Sequence, residues 1–279
     1  MLPVKIKIVN SLTEAVTNRK VKGVRFDNSS YWRRYYIDKY KSRNVDREKR
    51  YAEFLLKRTN KKRVLDLATG YGFLPVELKK LNFDVTCLDE FDRMIEMAKE
   101  YFRENDVDIK IIKADVVNLP FGNNIFDIVT AMSILEHLSK EEICDNLIPE
   151  MKRVLGINGW LLIHVPVKSW VTIFKRWYRK KILRDLPDWA IDDDGDVTHK
   201  TWIDVDEYAH LLVKTGLKVE YIGFNYIRSN DKTSWMRILS WLFGKIDGDF
   251  YKYNGKRVFW ENLLERFCSS AVFICRKVK

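Results

Sequence analysis

Three aspartates stand at the ends of three successive apolar runs. Asp66 lies in RVLDLA (63–68), Asp89 ends DVTCLD (84–89) and Asp115 ends IKIIKAD (109–115). After the first run comes Ala68-Thr69-Gly70-Tyr71-Gly72. Its two glycines remove side chains where a ligand could lie against backbone. A carboxylate at Asp66 can hold a cation or accept from an ammonium group. One at Asp89 can accept both hydroxyls of a ribose. One at Asp115 can accept from an exocyclic amine. Together they suit a nucleoside that carries positive charge. Any single one could be a helix N-cap, but that reading makes three in register a coincidence. The chain has four histidines. His137, in Leu135-Glu136-His137, and His199, just after the acidic loop DWAIDDDGD (188–196), are candidates to take a proton from a reacting hydroxyl. His164 reads as a hydrogen-bonded core residue of a strand, and His210 as a surface or packing residue of a helix. The aspartates of 192–196 read as an acidic loop and not as a metal site.

Such a set of side chains needs a scaffold that ends strands side by side. The sequence supplies one by alternation. RVLDLA leads to helix LPVELKKL (74–81), DVTCLD to helix FDRMIEMAKEYFRE (91–104), and IKIIKAD to a turn at LPFGNN (119–124). Strand FDIVTAM (126–132) leads to a helix from about Lys140 to Leu155, punctuated by Gly156 and Gly159, and then to strand WLLIHVPV (160–167). Alternation of this length implies parallel strands with right-handed crossovers. Later come a helix at 204–216, a strand at 218–227, a helix at 259–267 and the terminal strand AVFICRKVK. The expected fold class is α/β. It is a Rossmann-like, mostly parallel sheet of about seven strands with an antiparallel terminal strand, helices on both faces and inserted lid helices. Residues 1–50 read as a basic, aromatic lid. Residues 51–279 read as the main domain, with insertions near 168–203 and 228–268.

The motifs VLDLATGYG (64–72), VTCLDEFDRM (85–94), KADVVNLPF (113–121), FDIVTAMSILEHL (126–138) and RVLGINGWLLIHVP (153–166) resemble those of the class I S-adenosylmethionine-dependent methyltransferases. The similarity is closest to the small-molecule group of the methyltransferase-11 type and covers about Arg63 to Val167. It implies S-adenosyl-L-methionine as cofactor. By this resemblance Asp66 and the turn Ala68, Thr69, Gly70 and Gly72 would cradle the methionine part. Asp89 would hold the ribose, with Glu90, Phe91 and Met94 beside it. Asp115 and the Val116 amide would read adenine, and backbone near Ala131 would line the reacting end. His137 and His199 would face the methyl acceptor. Two positions depart from the pattern. Ala68 stands where the family has its first glycine, and Glu90 where an apolar residue packs on adenine.

Composition bounds the partners. Fifty basic against 39 acidic residues leave a net charge of +11, which favours anionic partners. The four cysteines form no CxxC pair, so neither zinc nor a disulfide framework is expected, and Cys87 and Cys275 read as core thiols. The absence of a signal-like block and of an apolar run of about 20 residues points to a cytoplasmic protein, peripheral at most to a membrane. The stretches WVTIFKRWYRKKIL (170–183) and TSWMRILSWLF (233–243) each put aromatic and aliphatic residues on one helical face, the pattern of an interfacial helix or of a buried lid helix. The expected activity is methyl transfer to oxygen or carbon of a small-molecule, sugar or lipid-linked acceptor. The alternatives are an RNA-binding methyltransferase acting on ribose or cap, and a cofactor-binding scaffold without catalysis. Nucleobase amines and pyrimidine C5 are disfavoured because AMSILEHL carries no proline and the chain has no Pro-Cys pair. A nicotinamide enzyme is disfavoured because Pro75 stands at the third glycine position. The sequence leaves the oligomeric state open.

Overall fold

The computed structural model describes residues 45–178, 200–226, 250–253, 255 and 268–278. Residues 1–44 of the expected lid 1–50, the stretch 233–243 and His199 with its acidic loop lie outside them; the last residues of that lid open the first described helix.

The first described helix, α1 (Asp46–Leu56), puts Tyr51, Ala52, Phe54 and Leu55 on its buried side. Asp46 and Glu48 in its first turn complement the positive end of the helix dipole. The βα alternation follows: β1 (Arg63–Leu67), α2 (Phe73–Lys80), β2 (Asp84–Asp89), α3 (Asp92–Glu104), β3 (Lys110–Lys113) and β4 (Phe126–Met132). After β4 come α4 (Ile148–Val154), β5 (Leu155–Pro166), α5 (Trp170–Tyr178), α6 (Val205–Lys214), β6 (Leu217–Tyr226), β7 (Phe250–Lys252) and β8 (Cys268–Lys277).

These strands form one sheet in the order β3-β2-β1-β4-β5-β8-β6-β7. The first five pair in parallel. β8 runs antiparallel between β5 and β6. The central strands are apolar on both faces because both are covered. One face carries Leu55, Val76, Ala98 and Phe102 of α1 to α3, and the other Met151, Tyr208 and Leu212 of α4 and α6. Cys87 and Cys275 are buried in this core. The strand order reverses between β1 and β4, so the crevice at their carboxyl ends is the switch point where such sheets take ligands.

The doubly wound α/β class expected from the alternation is the one observed, with several differences in detail. An eighth strand, β7, pairs antiparallel with β6 inside the span expected as an insertion. β3 stops at Lys113, so Asp115 sits two residues beyond it. The helix expected from Lys140 onward is interrupted. Ser139 and Glu142 form a reciprocal cap, residues 143–147 widen into a π-helix, and only then does α4 begin. Gly156 and Gly159 do not end a helix. They lie in the doubled-back start of β5, where a Cβ on Gly159 would meet Leu155 Cδ1 at 2.6 Å. Among the described residues no helix is long and apolar enough to cross a membrane.

Candidate functional site

The bend after β1 is a run of left-handed backbone. Ala68, Gly70 and Gly72 have φ of 49°, 56° and 76°. The two glycines do different things. A Cβ on Gly72 would lie 2.3 Å from Phe102 Cε1 of α3, so this position must stay bare for helix packing. A Cβ on Gly70 would meet Met94 Cε at 3.9 Å and otherwise only the Ala68 carbonyl, leaving a bare backbone surface. Ala68 adopts the same hand with a side chain attached, at a cost of about 1–2 kcal/mol. The bend is tied to the end of β2 by Thr69 N–H on Leu88 O (3.0 Å) and by Gly70 N–H on Asp89 Oδ2 (2.9 Å).

Asp66 and Asp89 are both buried, with 2% and 4% of their surface exposed. Asp66 Oδ1 accepts from Thr130 Oγ1 at 2.5 Å, across the switch point from β4. Burial pushes its carboxyl up from 3.8 to about 7. The hydroxyls of Thr130 and Thr69 oppose that rise, and the Asp89 charge adds to it. Asp89 accepts Gly70 N–H on one oxygen and Phe91 N–H (3.1 Å) on the other. Burial raises its pKa, against the pull of the Gly70, Phe91 and Glu90 amides. Two carboxylate oxygens offer about four acceptor sites, so capacity remains for a ligand hydroxyl. Asp89 is therefore not a helix cap: α3 starts at Asp92 after Phe91, with no side-chain cap. Asp115 is half-buried and accepts Val117 N–H at 3.0 Å, closing a turn beside buried Val116. Glu90 and Phe91 are half-buried on the same edge. The side chain of Ala131 joins the core on the far face, so only its backbone faces the edge.

His137 ends a 3-10 turn (Leu135–His137) just past β4 and is half-buried. Lys200, the residue after His199, docks its N–H on the carbonyl of Glu136 at 2.7 Å. His164 is buried in β5 and hydrogen-bonded, as read from the sequence, and His210 is exposed on α6. Two polar residues escaped the sequence reading. Thr130 alternates with apolar neighbours so that it faces Asp66. Ser133, left-handed at φ 59°, places Oγ 3.0 Å from His164 Nδ1. Only their polarity inside FDIVTAMSIL could have flagged them.

A bare bend roped to a buried acid, with a second buried acid beside it, suits a cationic nucleoside. Comparison with known proteins agrees with that reading. The family model for the methyltransferase domain matches residues 64–159. A methyltransferase domain is thus matched over that span, in keeping with the class I S-adenosylmethionine-dependent methyltransferases that the sequence resembles. A ubiquinone biosynthesis O-methyltransferase of Rickettsia typhi is 23% identical over 205 residues, 71% of this chain and 75% of that protein. A ubiquinone/menaquinone biosynthesis C-methyltransferase of Shewanella sediminis is 35% identical over 130 residues, 45% of this chain and 51% of that protein. The crystal structure of a SAM-dependent methyltransferase from Archaeoglobus fulgidus superposes with a TM-score of 0.55 at 16% identity. It covers 87% of this chain and 98% of that one, and so shares the fold. The methyltransferase takes S-adenosylmethionine as its cofactor, and the Gly70 surface with its neighbouring acids is a fitting cradle for it.

Proposed function

We propose that this methyltransferase modifies an oxygen or carbon of a small, lipid-linked ring. The reading rests on the buried Asp66–Asp89 pair flanking the bare Gly70 backbone at the switch point. S-adenosylmethionine, when bound, supplies a methyl group already activated on a sulfonium. The protein's part is placement and exclusion of water. Asp66 holds the cationic amino-acid end, with Ala68, Thr69, Gly70 and Gly72 as its backbone floor. Asp89 accepts the ribose hydroxyls, flanked by Glu90, Phe91 and Met94. Asp115 and the Val116 amide read adenine, and the Ala131 backbone lines the reacting end. His137 contacts the acceptor from its turn beyond β4, and His199 is the second candidate for that contact.

The lipid-linked acceptor is supported by the relatives, whose names place them in quinone biosynthesis, and by α5. Ser169 anchors the start of that helix to the Cys268 carbonyl at 2.6 Å, on the carboxyl edge of the sheet. From there Trp170, Ile173, Phe174 and Trp177 stand 41–60% exposed. Four large apolar side chains beside the site, on a protein of net charge +11, fit the face of an anionic membrane. The same basic excess also fits RNA, whose binding would weaken steeply with salt.

Calorimetry with S-adenosylmethionine tests the cradle: Asp89→Ala is expected to abolish binding while leaving the fold intact. Unchanged affinity would refute the assignment. Transfer of labelled methyl to a prenylated catechol and to capped RNA oligomers then separates the two acceptor classes.

A further inference from the structure

Arg47 of α1, His164 of β5, Ser133 beyond β4 and Ser270 of β8 meet at the carboxyl edge of the sheet. The strand WLLIHVPV is otherwise apolar, and a buried imidazole in it calls for a reason. Its Nδ1 lies 3.0 Å from Ser133 Oγ. Its Nε2 lies 2.9 Å from Ser270 Oγ and 3.4 Å from Arg47 Nη1. Glu48 holds Arg47 from the other side at 2.6 Å. A guanidinium can only donate. Nε2 is therefore the bare nitrogen, the ring hydrogen sits on Nδ1, and Nδ1–H donates to Ser133 Oγ. Ser270 donates to Nε2 alongside the guanidinium. Ser133 Oγ, having accepted, keeps its own hydrogen to give, and among the described residues it has no other partner. Ser133 is half-buried, so this hydroxyl joins the buried row to the open edge. Its backbone is fixed as well: it is left-handed at φ 59°, and its N–H donates to His164 O at 2.8 Å. A serine held in a strained conformation at a strand end is a mark of function.

We propose that Ser133 touches the methyl acceptor directly, donating to an oxygen of its ring, and that His164 and Arg47 are positioning residues that aim this donor. This rests on the acceptor reading above and deepens it. A hydroxyl held to donate favours an oxygen that accepts, the more so one that carries negative charge. That fits a catechol or quinol, in which a second ring oxygen stands near the atom that receives the methyl group.

Two measurements test it on the full chain. Nitrogen-15 NMR of the histidines, with His164 assigned through His164→Gln, is expected to show the Nδ1–H tautomer at neutral pH. The Nε2–H tautomer would overturn the donor row whatever the acceptor is. Methyl transfer is then measured on a prenylated catechol, the matching phenol and the ring without oxygen. Ser133→Ala is expected to lower kcat on the catechol by about 100-fold, with S-adenosylmethionine affinity unchanged. His164→Asn, which can present an N–H near the Nδ1 position, is expected to keep more activity than His164→Ala. A kcat within twofold of wild type for Ser133→Ala, or equal loss in the two His164 variants, would sink the proposal. If the wild type binds S-adenosylmethionine but methylates none of the three rings, the acceptor class falls, and the tautomer alone judges the row.

Discussion

Replacing Asp66 by asparagine should make the protein more stable and a worse enzyme, and the gain should depend on pH. The folded carboxyl titrates at about 7 and its ordinary value is 3.8, chiefly because burial penalises the charge. A group whose folded pKa is raised gives its full stability below the unfolded value. That stability is lost as pH climbs through the folded one. At pH 5 the folded state keeps its proton while the unfolded state has shed most of its own, a loss of about 1.7 kcal/mol. At pH 8 both are ionised and the loss reaches about 4.3 kcal/mol. Asparagine cannot ionise and can still accept from Thr130. The advantage of Asp66→Asn over wild type should therefore grow by about 2.6 kcal/mol between pH 5 and pH 8. Urea unfolding at the two pH values reads this directly from the midpoints. A stability difference that stays flat across that window would refute the reasoning. Binding of a cationic amino-acid end beside Asp66 should drive off its proton, so calorimetry near neutral pH in buffers of different ionisation heat should show proton release in wild type and none in the variant.

Ala68→Gly removes a side chain from left-handed backbone and should raise stability by up to about 1 kcal/mol, measured by thermal unfolding. Gly72→Ala drives a methyl to 2.3 Å from Phe102 at φ 76° and should cost more than about 2 kcal/mol. Adding Phe102→Ala should relieve only the clash, leaving the backbone penalty. The paired change Trp170→Ala and Trp177→Ala, at residues 60% and 49% exposed, should cut co-sedimentation with anionic vesicles by about tenfold. No binding of wild type to such vesicles would remove the membrane contact.

The parallel half of the sheet was legible because its signals are local. Apolar runs such as VLDL and CLD, glycines at the bend and helix-period spacing in α3 each declare themselves within a dozen residues. What escaped depends on partners far away in the chain. β7 has three residues and no pattern of its own; it is a strand because β6 offers an edge. The π-helix at 143–147 buries Ile143 and Leu147, and nothing in ICDNL marks it locally. At the site, the acids were readable as strand ends. The burial of Asp66 under Thr130, 64 positions away, was not. Nor was the meeting of Ser133 with His164, since register across strands decides it. Ala68 stands where the resembled family has glycine, and its left-handed conformation shows that the missing glycine leaves strain behind.

The outer margins of the sheet have a consequence for handling the protein. β3 contributes four residues and β7 three, and both end in lysine. Short borders bearing cationic side chains give a neighbouring molecule little open ladder on which to add a strand. Concentrated samples should therefore resist fibrillar association, and congo-red or thioflavin staining after prolonged incubation should stay at background.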